Sequence, residues 1–340
     1  MKWLRRVALG VAALAAFVLA AGALYEALGR AHAAKAFPPP GRMVDIGGRR
    51  IQLDCRGAGA PIVVFESGLD ALGSLSWSAV QNDVAKFTRA CAYSRAGVIW
   101  SDDAGRPFAA GNVAEDLHRA LAAAGEKPPY VLVAHSLGGP YSLVFTGRYG
   151  ADVAGLVFVD ASHPDQLARL RAAAGKDLNQ GAAQARIGDA LAWTGLVRLI
   201  TSTGQLVPAT APAWIDAPNR AFMPRSLHAI VAEQDALAAT LALAGRSRGL
   251  GDRPLVVLTH GAATSAANQK AAGLTPAAAA RVDAAWLAMQ NDEAAWSSHS
   301  RHQVVAGATH YIQFDRPQVV VAAVREVVNE VRNQPAARAP

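Results

Sequence analysis

The chain has 340 residues, of which 17% are charged and 52% apolar, which excludes a disordered, solvating chain and leaves length for one large domain with insertions or two small ones. Its net charge of +7 sits largely at the front: Lys2, Arg5, Arg6, Arg30 and Lys35 against Glu26 give +4 in residues 1–35, and the other 305 residues carry 28 basic and 25 acidic side chains, only +3. No basic run survives there, so nucleic acid is not an expected partner, and two cysteines exclude a disulfide-rich scaffold and a four-thiolate zinc site.

Residues 1–6 carry three positive charges, and residues 7–25 then run without one until Glu26. As a helix that stretch is about 28 Å long, close to the ~30 Å thickness of a bilayer's hydrocarbon core. A cleavable signal has an apolar region of only ~7–15 residues, which favours an uncleaved anchor through residues 7–25. Ala31-His32-Ala33 would still pass as a small-x-small cleavage site, so a removed signal stays open as the alternative. Residues 1–35 are accordingly read as a signal-anchor segment. Arg5 and Arg6 before the span point to a cytoplasmic N-terminus and place the body on the extracytoplasmic side; cleavage would leave it secreted or periplasmic.

Phe37-Pro38-Pro39-Pro40-Gly41 is a stiff spacer that cannot continue a helix. Residues 42–46 and 50–55 then read as a hairpin through Gly47-Gly48. Short apolar runs at 61–65, 90–93, 130–134, 156–159, 255–259 and 303–306 suit parallel strands buried on both faces. Helical periodicity fits 113–124, 140–149 and 317–331, and the tail from Asn333 to Pro340 is expected to fray. A leading hairpin followed by strand–helix units predicts an α/β fold, a mostly parallel, doubly wound eight-stranded sheet preceded by the N-terminal transmembrane helix. Residues 161–250 lack a strand but hold helical patterns at 186–200 and 227–244, which predicts a helical cap. The core is thereby divided into 36–160 and 251–340. Trp193, Leu199, Trp214, Phe222 and Met223 of the cap either line a substrate entrance or pack the cap onto the core.

Ser136 lies between the apolar run 130–134 and a helix beginning near Pro140. A serine at such a strand–turn–helix corner projects its hydroxyl from a strained backbone, beside unpaired helix N–H groups suited to a developing negative charge. Small residues are needed two positions either side, and Ala134 and Gly138 meet that need. Serine is a poor nucleophile unless a base within hydrogen-bond reach is itself oriented by a third group. A metal site is not expected, since no His-x-Glu-x-x-His spacing or carboxylate cluster occurs, and one serine can act without a cofactor.

From residue 42 to 332 the chain resembles the α/β-hydrolase superfamily, in particular its membrane-anchored bacterial branch of serine esterases and lipases. The resemblance rests on Phe65-Glu66-Ser67-Gly68-Leu69, Tyr93-Ser94-Arg95-Ala96-Gly97, Ala134-His135-Ser136-Leu137-Gly138-Gly139, Val159-Asp160-Ala161-Ser162-His163-Pro164 and Gly307-Ala308-Thr309-His310. Two departures stand out. Ala134 replaces the first elbow glycine, and Tyr93-Ser94 stands where an acid usually precedes the arginine, so the ion pair of that acid is expected to be missing.

The resemblance implies Ser136 as nucleophile, His310 as base, and the backbone N–H groups of Leu69 and Leu137 as the oxyanion hole. The usual site for the orienting acid, after the run 255–259, is empty until Asp283, which lies in an alanine-rich helical pattern. Asp160, at the end of the strand before the cap, is the alternative, unless it caps a helix or pairs with His163. His163 is read as a pocket residue and His135 as structural; His260 and His302 have no matching context. Cys55 and Cys91 fall on strands that the resemblance makes neighbours, so either a disulfide or two buried thiols is expected. The expected partner is a small, lipophilic ester cleaved through an acyl-enzyme. Amide, thioester or perhydrolase chemistry at the same triad, or a non-catalytic binder that keeps the fold, are the alternatives.

Overall fold

The computed structural model describes residues 1–178 and 182–334; the expected frayed tail lies, from residue 335 on, outside the described residues. A single helix, α1 (Lys2–Ala36), opens the chain. It is rich in alanine and leucine and ends just before the proline run, which has no N–H groups to continue it.

Eight strands follow: β1 (Arg42–Asp45), β2 (Arg50–Arg56), β3 (Ile62–Glu66), β4 (Ala90–Tyr93), β5 (Tyr130–His135), β6 (Val153–Val159), β7 (Leu255–His260) and β8 (Ser300–Val305). They form one sheet in the order β1-β2-β4-β3-β5-β6-β7-β8. Only the β1–β2 and β2–β4 pairs are antiparallel. The leading hairpin turns where expected, because Asp45 Oδ1 accepts from the N–H groups of Gly47 and Gly48 at 2.7 and 2.9 Å and both glycines take positive φ. Cys55 and Cys91 face each other directly across β2 and β4 and are joined by a disulfide.

Helices α2 (Gln81–Val84), α3 (Ala110–Ala123), α4 (Gly138–Arg148), α5 (Gln166–Ala174), α6 (Ala182–Leu191), α7 (Leu196–Thr201), α8 (Asp216–Asp235), α9 (Leu237–Ala244), α10 (Ala266–Ala272), α11 (Pro276–Ala294), α12 (Ile312–Asp315) and α13 (Pro317–Asn333) complete the chain. The central strands are apolar on both faces. Val64, Leu132, Leu156 and Val257 pack with α3, α4 and α9, while Val63, Val131, Val157 and Val256 pack with α2, α12 and α13. The period of two along each strand is why continuous apolar runs mark it as interior. Helix α13 alone buries Val320, Val321, Val324, Val327 and Val328, each contributing about 1.5–3 kcal/mol relative to exposure.

Among the described residues the cap carries helices α5 to α9 and no strand, but two expected helices are broken. The run 186–200 is interrupted at Gly195, with φ 76°, where any Cβ would lie 2.7 Å from the Gly22 carbonyl of α1. Close backbone packing, invisible to periodicity, overrides the pattern there. The run 227–244 is split at Ala236, and the two halves bend by 57°. The acid that usually precedes Arg95 is absent, and the guanidinium instead bonds Glu66 on β3 and Glu233 on α8, both buried. Its partners come from 29 and 138 residues away rather than from the preceding position, so no local motif could reveal them.

Candidate active site

Strand β5 runs directly into α4, and Ser136 sits at the corner with φ 52°, a left-handed conformation that costs a non-glycine residue of order 1–3 kcal/mol. The corner closes only because its neighbours are small. A Cβ on Gly138 would lie 2.5 Å from the Glu66 carbonyl oxygen, and one on Gly139 2.7 Å from Ala161 Cβ. The Ser136 carbonyl accepts from Ser162 N–H at 2.8 Å, which ties the turn to the end of β6.

Asp160 occupies that strand end, also at positive φ, 50°, and is fully buried. Its carboxylate accepts from His310 Nδ1 at 2.6 Å, His260 Nδ1 at 2.7 and 2.9 Å, the His260 N–H at 3.0 Å and Trp286 Nε1 at 2.9 Å. Burial would raise its pKa, but the hydrogen bonds and charges of His260 and His310 outweigh that and hold it well below the usual carboxylate range. For His260 burial works against the charged form, and the Asp160 hydrogen bond and charge more than offset it, leaving its pKa above the ordinary value.

His310 follows β8 and lines the same cleft as Ser136. Its loop is fixed by Asp315, which accepts from both the N–H and the hydroxyl of Thr309 at 2.6 Å. His135 Nε2 donates to the His310 carbonyl at 3.0 Å. Burial, with a smaller effect of His310, pushes the His135 pKa down to about 3. It is therefore a neutral brace for the His310 loop, and its Nδ1 has no partner among the described residues.

Leu137 is the N-cap residue of α4. Facing it, the turn after β3 passes so close that a Cβ on Gly68 would lie 2.9 Å from Ser136 Cβ. Arg95 clamps this turn from behind, donating to the Ser67 carbonyl at 2.8 Å and to the Gly68 carbonyl at 2.6 Å. The expected oxyanion donors Leu69 and Leu137 thus belong to the two segments that flank the serine.

The cleft, about 430 Å³, is lined by Ser136, His310 and His260, by Gln166 and Leu170 of α5, Thr264, Asn268 of α10, and Val282, Asp283 and Trp286 of α11. The expected cap residues are elsewhere. Trp193, Leu199 and Trp214 are solvent-exposed, Phe222 is buried against Trp100, and Met223 is half-buried. His163 is fully buried, donates from Nε2 to Asp292 at 3.0 Å and packs on Trp296; it pairs with Asp292 and not with Asp160. Asp283 accepts from the N–H and hydroxyl of Thr264. His302 Nε2 bonds the Thr259 hydroxyl at 2.7 Å. The sequence reading missed His260 and Trp286. His260 ends the strand beside β6, at the same sheet edge as Asp160, and that position was the available signal.

A family model described as the alpha/beta hydrolase fold matches residues 61–196. Over those residues the chain has the α/β-hydrolase fold. Among solved structures it is similar to an esterase from Thermogutta terrifontis, with TM-score 0.56 and 18% identity, covering 85% of this chain and 97% of that one. It is also similar to an esterase from Exiguobacterium antarcticum, with TM-score 0.56, 14% identity and coverage of 84% and 98%. The epoxide hydrolase CorEH superposes with TM-score 0.55 and 16% identity over 86% and 98% of the two chains. Identities this low speak for the fold alone. By sequence the chain is 46% identical over 92 residues to an uncharacterized protein of Schizosaccharomyces pombe, 26% of this chain and 17% of that one. It is 25% identical over 166 residues to the uncharacterized protein YbdG of Bacillus subtilis, 48% and 51% of the two. It thus spans about half, or less, of these curated relatives.

Proposed function

We propose that the protein is a membrane-anchored serine hydrolase that cleaves small carboxylic esters. The observation that carries this reading is the 2.6 Å contact of Asp160 with His310 Nδ1, in a cleft that Ser136 lines from a strained elbow. With its proton on Nδ1 held by an ionised acid, the His310 imidazole keeps Nε2 free as a base. It takes the Ser136 proton as Oγ attacks the ester carbonyl. The Leu69 and Leu137 N–H groups receive the oxyanion, and His310 returns the proton to the leaving alcohol. Water then repeats the sequence on the acyl-enzyme. The serine at the elbow argues against an aspartate nucleophile.

The cleft wall supports a substrate with both an apolar and a hydrogen-bonding part, since Leu170, Val282 and Trp286 stand beside Gln166, Thr264 and Asn268. A purely lipophilic ester would leave that polar wall without partners.

An uncleaved anchor is supported by α1 itself. The helix continues without a break through the Ala31-His32-Ala33 sequence, and Ala33 is buried in a cluster with Leu72, Trp100 and Phe222. Cleavage there would remove Glu26, whose carboxylate accepts from Arg198 at 2.8 and 3.1 Å.

The test is fluorophosphonate labelling with turnover of p-nitrophenyl esters. Ser136→Ala should abolish labelling and lower turnover by roughly 10³-fold or more. Turnover near the wild-type rate would sink the serine mechanism.

A further inference from the structure

The stripe Gly22, Glu26, Gly29 and Ala33 recurs at helical spacing on α1 and faces the cap. A Cβ on Gly22 would lie 2.1 Å from the Thr194 carbonyl, and one on Gly29 2.3 Å from Arg198 Nε. Glu26 is buried beneath Arg198. The cap therefore docks on the last turns of the helix. Gly22 precedes the end of the uncharged stretch by three residues, about 4.5 Å of helix rise. At that level a spanning helix passes from hydrocarbon to headgroups.

The cap segment that meets Gly22 has an inverted pattern. On α7 and the turn before it, Val197 and Arg198 point inward, while Trp193, Leu196, Leu199 and Ile200 are 52%, 42%, 60% and 65% exposed. On α7, spacings of three and four place Leu196, Leu199 and Ile200 on one outer side, and Trp193 stands exposed just before the Gly195 break. Tyr25 and Leu28 of α1 are exposed beside Gly195, Arg198 and Thr201. Burial in the core explains none of them, and a soluble surface gains nothing from such a ridge.

We propose that this ridge is a second membrane contact, seated in the outer lipid–water interface next to the anchor. The occupant is the bilayer because the ridge is continuous with a helix whose apolar stretch shows no burial against the protein. Tryptophan suits that depth, with its ring in the apolar layer and its N–H toward water. This inference rests on the reading of residues 7–25 as a retained span.

The experiment uses the full chain in phosphatidylcholine vesicles. Single cysteines at Leu199→Cys or Ile200→Cys, and at exposed Lys127→Cys as control, carry an environment-sensitive NBD label. Cys55 and Cys91 are already paired with each other. The ridge labels should emit to the blue of the control and lose emission to doxyl-labelled lipid but not to aqueous iodide. Ridge labels quenched by iodide like the control, or protected from both quenchers by a protein contact, would overturn the proposal. An alkaline wash separates the two failures. Full-length chain retained in the membrane with iodide-quenched ridge labels refutes the ridge alone. Release of a chain beginning near residue 34 refutes the anchor as well.

Discussion

Replacing Glu233 by alanine should both destabilise the protein and slow it. Arg95 is buried, with Nε and Nη2 donating to Glu233 at 2.9 and 2.8 Å and Nη1 donating to Glu66 at 2.8 Å. Removing one partner of a buried pair costs about 3–5 kcal/mol. Glu66 stays as counter-charge, so the lower end, ~3 kcal/mol, applies, and at about 2.1 cal/mol/K per residue over a body of roughly 300 residues the midpoint should fall by about 5 °C. The same guanidinium holds the Ser67 and Gly68 carbonyls, so an Arg95 freed on one side loosens the turn that carries Leu69. Catalytic turnover should drop more than KM rises.

The deficit should also depend on pH in a stated direction. Burial pushes the Glu66 pKa up to about 7, against the pull of Arg95 and with a small push from Glu233. Its folded value lies above the ordinary 4.5, so in the wild type this group's contribution is present in acid and lost as pH rises through 7. Deleting Glu233 removes a negative neighbour, and Glu66 ionises more readily as the sole counter-ion. The variant therefore loses the acid advantage, and its melting deficit should widen as pH falls from 8 to 5. Thermal denaturation across that range, with ester kinetics, is the measurement. An unchanged midpoint with unchanged turnover would refute the clamp.

Asp160→Asn should keep the fold and reduce turnover by about 10³–10⁴-fold through the wrong imidazole tautomer, while Asp283→Asn should cost far less; the reverse order in ester kinetics would move the acid to Asp283. His135 has a folded pKa of about 3, below that of a free histidine, so the unfolded chain binds its proton first and stability falls with pH below ~6.5, at up to about 1.4 kcal/mol per unit. His135→Gln should flatten that slope in denaturant titrations between pH 7 and 5. Intact-mass analysis without reductant should find no alkylatable thiol, and reduction should cost about 3–4 kcal/mol for a bridge of sequence separation 36.

The sheet was legible because its strands are buried on both faces, so each run of Val, Leu and Ile between turn residues carried its own signal. The elbow was legible for a local reason too: Ser136, Gly138 and Gly139 constrain one another within a few residues. What escaped depends on distance. His260 and Trp286 reach Asp160 from 100 and 126 residues away, and nothing in their neighbours marks them. Glu233 is one of several acids on a cap helix until the fold brings it to Arg95. The cap aromatics misled for a related reason. Trp193 and Trp214 were read as facing inward because large apolar side chains usually do, yet both stand exposed, at 52% and 61%.

The cap is held from two sides, and this bears on how a substrate enters. On the core side Glu233 of α8 closes on Arg95; on the α1 side Arg198 of α7 closes on Glu26 and also donates to the Ala221 carbonyl of α8 at 3.0 Å. Lifting α7 and α8 as a lid would expose two ion pairs whose carboxylates are both buried, a cost of several kcal/mol each once the charges are parted. The cleft at Ser136, however, is walled by α5, α10 and α11, none of which takes part in either pair. Helix α10 is only seven residues long, with no buried side chain, so it is the wall with the least to lose by moving. For the proposed hydrolase, access to the cleft is therefore cheapest past α10, where Asn268 meets it, with α7 and α8 left fixed between the core and α1.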